Sequence, residues 1–168
     1  AERPTAGTSV FAPAEGPGNG RRVVLLAGDE EYRSEEALVQ LAKILAVRQG
    51  FHCTVLFAID EATGEIDPNA SHSLAGAEAL DSADAIVMGL RFREYPDETM
   101  KHFVDAYLAG KPIVALRTST HAFKYSDDST SIYRDFSFNS KQWPGGFGRQ
   151  VLGDTWVSHL GKNHAEAK

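Results

Sequence analysis

Four short apolar runs, each ending in glycine or in a polar, charge-bearing cluster, constrain this chain more than any other feature. They are Arg22 to Ala27, His52 to Ala58, Ala85 to Met88 and Pro112 to Leu116. Short continuous runs of this kind fit strands buried on both faces. Between the first two, Leu38, Leu41, Ala42 and Leu45 recur at helical spacing, with Ser34 as N-cap, Glu35 and Glu36 in the first turn and Gly50 as the stop. Between the last two, Pro96, Asp97 and Glu98 open a helix over 96–109 whose stripe is Met100, Phe103, Val104, Tyr107 and Leu108. A shorter helical piece is expected around Ala75 to Leu80. Strands alternating with helices predict an α/β fold, a doubly wound parallel sheet in three layers, α/β/α. Its expected core includes Val23, Val24, Leu25, Leu26, Val55, Phe57, Ile86, Val87, Met88, Ile113, Val114 and Leu116.

The flanks read differently. Residues 1–20 hold Pro4, Pro13 and Pro17 among four glycines, which predicts a flexible or surface-draped arm anchored only by Val10 and Phe11. One domain over 21–168 follows. Within it, Tyr125 to Gln142 reads as a long loop, and Val151-Leu152 with Thr155 to Val157 as a last short strand. The single Cys53 excludes an internal disulfide, and its strand-like setting predicts an inert core thiol. A net charge of −6 excludes a general nucleic-acid or anionic-membrane binder, and no apolar stretch has the length of a membrane span, so a soluble protein is expected. The chain begins Ala1-Glu2 rather than with methionine, the appearance of an exported protein after loss of a signal peptide.

In a parallel sheet, ligand chemistry collects beyond the carboxyl ends of the strands. Three clusters stand there: Asp29, Glu30, Glu31 and Tyr32 after the first run, Arg91 and Arg93 after the third, and Arg117, Thr118, Ser119 and His121 after the fourth. Thr118, Ser119 or Thr120 capping a following helix would aim backbone N–H groups and Arg117 at an oxygen-rich ligand. His121 is the candidate for proton transfer and Glu30 or Glu31 for activating a hydroxyl. The first and fourth strand ends are expected to meet, so that Arg117 reaches Asp29, Glu30 or Glu31 in a concave site with His121. The three arginines read equally as ligand contacts or as an internal salt-bridge network with those acids. Tyr32, Tyr95, Phe123 and Trp143 are candidate aromatic faces for a sugar. His159 joins the ligand-binding set; with His164 and His121 it invites a metal reading, but the spacing matches no zinc pattern, and no metal is expected. The acidic first loop would repel a phosphate, so no flavin or nucleotide cofactor is expected either.

Several stretches together resemble the trehalose-utilisation (ThuA-like) family: Ala27 to Glu36, Leu90 to Arg93, Lys111 to Phe123, Phe147 to Gly153 and Trp156 to Gly161. The resemblance covers roughly residues 21–161. It implies a flavodoxin-like fold of the class I glutamine amidotransferase type and an exported protein of carbohydrate metabolism, acting on or binding a sugar or modified glycoside. In the amidotransferases a cysteine nucleophile follows the fourth apolar strand; here that position is Arg117, which excludes thiol amidotransfer. The expected partner is a small carbohydrate, with a second copy of the chain as a further candidate and neither nucleic acid nor membrane. The alternative is a non-catalytic ligand-binding or assembly module on the same fold.

Overall fold

The computed structural model describes residues 6–158. In chain order the main elements are β1 (Thr8–Phe11), β2 (Arg22–Gly28), α1 (Ser34–Gln49), β3 (His52–Phe57), β4 (Ala85–Leu90), α2 (Asp97–Leu108) and β5 (Ile113–Ala115). They build one five-stranded sheet in the order β1-β3-β2-β4-β5. The last four of these strands are mutually parallel, and β1 is antiparallel to β3. All four apolar runs are therefore strands of an α/β sheet.

The two helices lie on opposite faces because the chain winds in two directions. From β2 it passes through α1 to β3 on one side; from β4 it passes through α2 to β5 on the other. Right-handed crossovers made in opposite directions put their helices on opposite faces. Leu38, Ala42 and Ala46 of α1 accordingly share a core with Val23, Leu25, Cys53, Val55 and Val87. Met100, Phe103 and Val104 of α2 share the other core with Val24, Leu26, Leu56, Ile86 and Met88. Helix α1 stops where Gly50 adopts φ 73°, the left-handed conformation that lets Phe51 N–H close back on Leu45 O at 3.2 Å.

Four expectations are corrected. The segment expected to be a flexible or surface-draped arm, anchored only by Val10 and Phe11, contains β1, whose register sets Thr8 beside Leu56 and Phe11 beside Cys53. The residues after it clasp the end of α1, with Ala14 N–H to Ala46 O at 3.0 Å and Gly20 N–H to Gly50 O at 2.8 Å. A Cβ on Gly16 or Gly18 would fall 2.7 Å from the Gln49 backbone, so these glycines serve close approach rather than freedom. The second correction concerns β5, which is an edge strand. Its register places Val114 on the same face as Val87, but α1 lies over β2 and β3, leaving Val114 54% and Leu116 38% exposed. Third, the stretch expected as a last strand is a π-helical turn, Gly148–Leu152, followed by irregular chain. Finally, β2 and β5 are not neighbours, because β4 lies between them. The short helical piece is present as a 3-10 helix, Ala77–Ser82. No helix among the described residues is long and apolar enough to cross a membrane.

Candidate functional site

The winding direction reverses between β2 and β4, so the crevice beyond Gly28 and Leu90 is the switch point where an open α/β sheet places ligands. The loop after β2 is organised by Asp29. Its Oδ1 accepts from the backbone N–H groups of Glu31 (3.0 Å) and Tyr32 (3.2 Å), and its Oδ2 accepts from the Thr118 hydroxyl. The Asp29 N–H donates to Ser34 Oγ at 2.8 Å. Ser34 therefore ties the loop shut rather than capping α1; the capping position is Arg33, in the left-handed conformation and without a side-chain cap bond. Buried, with both oxygens engaged, Asp29 acts as a brace and not as the ligand contact expected of it.

Arg91 and Arg93 leave β4 beside this loop and consume its remaining acids. Arg93 is 2% exposed. Its Nη2 donates to Glu30 Oε2 at 2.8 Å, its Nε to Arg91 O at 2.6 Å and its Nη1 to Pro68 O at 2.9 Å. Arg91 donates to Glu30 Oε1 and forms an ion pair with Glu31 Oε2 at 3.1 Å. Of the two readings of these charges, the internal network describes Arg93 and Glu30: both oxygens of Glu30 are held, and Arg93 has no nitrogen to offer a ligand. Arg91 and Glu31 remain partly exposed at the rim.

The polar cluster after β5 forms a 3-10 turn, Arg117–His121, without a side-chain cap bond, so the expected helix-capping anion site is not built. Ser119 is fully buried; its hydroxyl donates to Met88 O at 2.9 Å and accepts from Leu90 N–H at 3.1 Å. It fastens the elbow to the end of β4, a structural duty in place of the expected ligand contact. Thr118, also buried, spans the crevice to Asp29. Arg117 is exposed, with Nη2 donating to the Tyr32 hydroxyl at 2.8 Å and Cζ 4.2 Å from the centre of that ring. No ion pair joins it to Asp29, Glu30 or Glu31 among the described residues. Strand order gives the reason: β4, lying between, supplies the two arginines that take those carboxylates.

His121 sits deeper, and its surroundings were missed in the sequence. Its ring centre lies 5.0 Å from that of Phe92, 5.4 Å from Trp156 and 6.2 Å from Phe138. Phe92 holds φ 50°, a conformation uncommon for a bulky residue and frequent where a site stores strain. Of the four aromatics expected at the site, only Tyr32 is there. Tyr95 and Phe123 are core residues, and Trp143 packs on Phe136. Burial pushes the Tyr95 phenol well above its ordinary pKa, the nearby Arg93 partly opposing it, and its hydroxyl has no hydrogen-bond partner among the described residues. His159 lies outside the described residues. Among those described, no group of three or more His, Cys, Asp or Glu is arranged to hold a metal ion.

Beyond the strand ends there thus stand an exposed guanidinium stacked on a phenol, a rim carboxylate and, on the same 3-10 turn as Arg117, a buried imidazole walled by aromatic rings. Guanidinium, carboxylate and aromatic faces are groups that can pair with hydroxyls and with apolar C–H patches. No family model, no curated protein and no solved structure matches the chain.

Proposed function

We propose that this chain is an exported, ThuA-like carbohydrate-active protein that binds or processes a sugar or modified glycoside at the switch-point crevice. The order β3-β2-β4-β5 with helices on both faces supports a flavodoxin-like fold of the class I glutamine amidotransferase type. The observation that carries the reading is the Arg117–Tyr32 pair standing exposed over a crevice whose floor, Asp29 bonded to Thr118, is locked. In this reading Arg117 and Tyr32 hold ligand hydroxyls, Glu31 orients one of them, His121 transfers a proton, and Glu30 fixes the loop. Arg117 at the elbow leaves no thiol chemistry. Isothermal titration with mono- and disaccharides tests the reading: binding that Arg117→Ala abolishes supports it, whereas no binding, or binding that Arg117→Ala leaves unchanged, overturns it.

A second reading, a non-catalytic recognition module, is favoured by the internal satisfaction of Asp29, Glu30, Arg93 and Ser119. Turnover on glycosides or their oxidised forms that His121→Ala abolishes excludes the module; saccharide binding without turnover selects it.

A further inference from the structure

A cavity of about 320 Å³, wide open to solvent, lies between the start of α2 and the Ser129–Ser131 loop, and none of its lining residues belongs to the Arg117 crevice. That volume lies at the low end of small-molecule sites, roughly 300 to 1,000 Å³. Hydrogen bonds from one wall to the other hold it open. Ser126 Oγ donates to Glu94 Oε1 at 2.8 Å, Ser131 Oγ to Asp97 Oδ1 at 2.5 Å, and Tyr125 OH to Tyr95 O at 3.0 Å. Each of these carboxylates keeps its second oxygen without a partner among the described residues. His72 places Nδ1 2.9 Å from the Glu94 carbonyl, which only accepts; Nδ1 therefore carries the hydrogen, and in the neutral ring Nε2 is left to accept.

The lining selects by chemistry. No lysine or arginine faces the cavity, and Glu94 and Asp97 do, so an anion is repelled. A compact cation is not demanded either, because Asp97 stands in the first turn of α2, where the positive end of the helix offsets its charge. What remains is a set of acceptors at Glu94, Asp97 and His72, the Thr130 hydroxyl that both donates and accepts, and apolar surface from Pro96 and Tyr125. A ring that carries hydroxyls and an apolar C–H face offers donors to these acceptors and a surface to the apolar wall. We propose that this cavity is a binding site for a neutral polyhydroxylated ring, separate from the crevice at Arg117.

The test is an amide chemical-shift titration of the full chain with D-glucose, with ethanolamine and D-glucuronate as comparators. D-Glucose is expected to move the amides of 94–97, apart from Pro96, and of 129–131. Glu94→Ala should weaken this by about tenfold or more, the loss of one charge-assisted hydrogen bond. Thr130→Val, an exposed change that cannot disturb the core, should weaken it as well, while Arg117→Ala should leave it at the wild-type level. Failure of D-glucose to move these amides overturns the site, as does binding of ethanolamine in its place. Shifts that vanish in Arg117→Ala overturn it too, since they would belong to the other crevice; loss of binding at Arg117 alone leaves this site standing.

Discussion

Arg93 and Arg117 both follow parallel strands at the same edge of the sheet, yet they do opposite things with their charge. Arg93 follows a central strand, is shut away from solvent and spends every nitrogen on Glu30, Arg91 and Pro68. Arg117 follows an edge strand, is exposed, and rests on a tyrosine ring. An arginine cannot shed its proton, so its fate depends on which acceptors its strand's neighbours supply. At the centre of the sheet the adjacent loop offers carboxylates and carbonyls; at the margin it offers a phenol and open space. The first arrangement builds the loop, and the second leaves a charge for something else to use.

The sharpest way to break this contrast is Arg93→Ala. It leaves Glu30 Oε2 and the Arg91 and Pro68 carbonyls without their donor, although Glu30 Oε1 keeps Arg91, and it empties a buried side-chain volume; the expected cost is about 3 kcal/mol in urea unfolding. Arg93→Lys should recover little of this, since one ammonium cannot reach three divergent acceptors. A loss under 1 kcal/mol would mean that the buried network is not what holds the loop. Ser119→Ala comes next, at about 1 to 3 kcal/mol, because Leu90 N–H and Met88 O both lose a buried partner. Arg117→Ala should sit at the bottom of the scale, below about 1 kcal/mol, the worth of an exposed cation on a ring. If it destabilised the chain as much as Arg93→Ala does, the two arginines would not differ in kind and the Arg117 crevice would lose its claim to a ligand.

The strands were legible because burial on both faces demands uninterrupted apolar residues, and Val24 to Leu26 and Ile86 to Met88 meet that demand. Pro112 to Leu116 looks the same in sequence but lies at an edge with one face bare, and nothing in an apolar run reports how many neighbours it will have. Residues 8–11 escaped for the converse reason: their pairing is with residues 53–56, and the glycines and prolines around them read as freedom when they serve close packing. At the site, the types of charge were legible from their place after strands, but their partners were not, since strand order decides them. Phe138 and Trp156 stood out only as an aromatic in a long loop and as part of an expected strand, and neither setting reports that both rings pack around His121.

The place of β1 has a consequence for the order in which the protein is made. It precedes every other strand in the chain, yet its partner is β3, and β3 takes its own place beside β2. During vectorial synthesis β1 leaves the ribosome ahead of its partner and must wait, unpaired, while β2, α1 and β3 are produced. Its polar, glycine- and proline-rich surroundings suit a segment that spends that interval in water without recruiting a wrong partner. A strand made before β3 can therefore close that side of the sheet only after β3 exists, and the same segment then covers the outer margin of β3 and latches the end of α1.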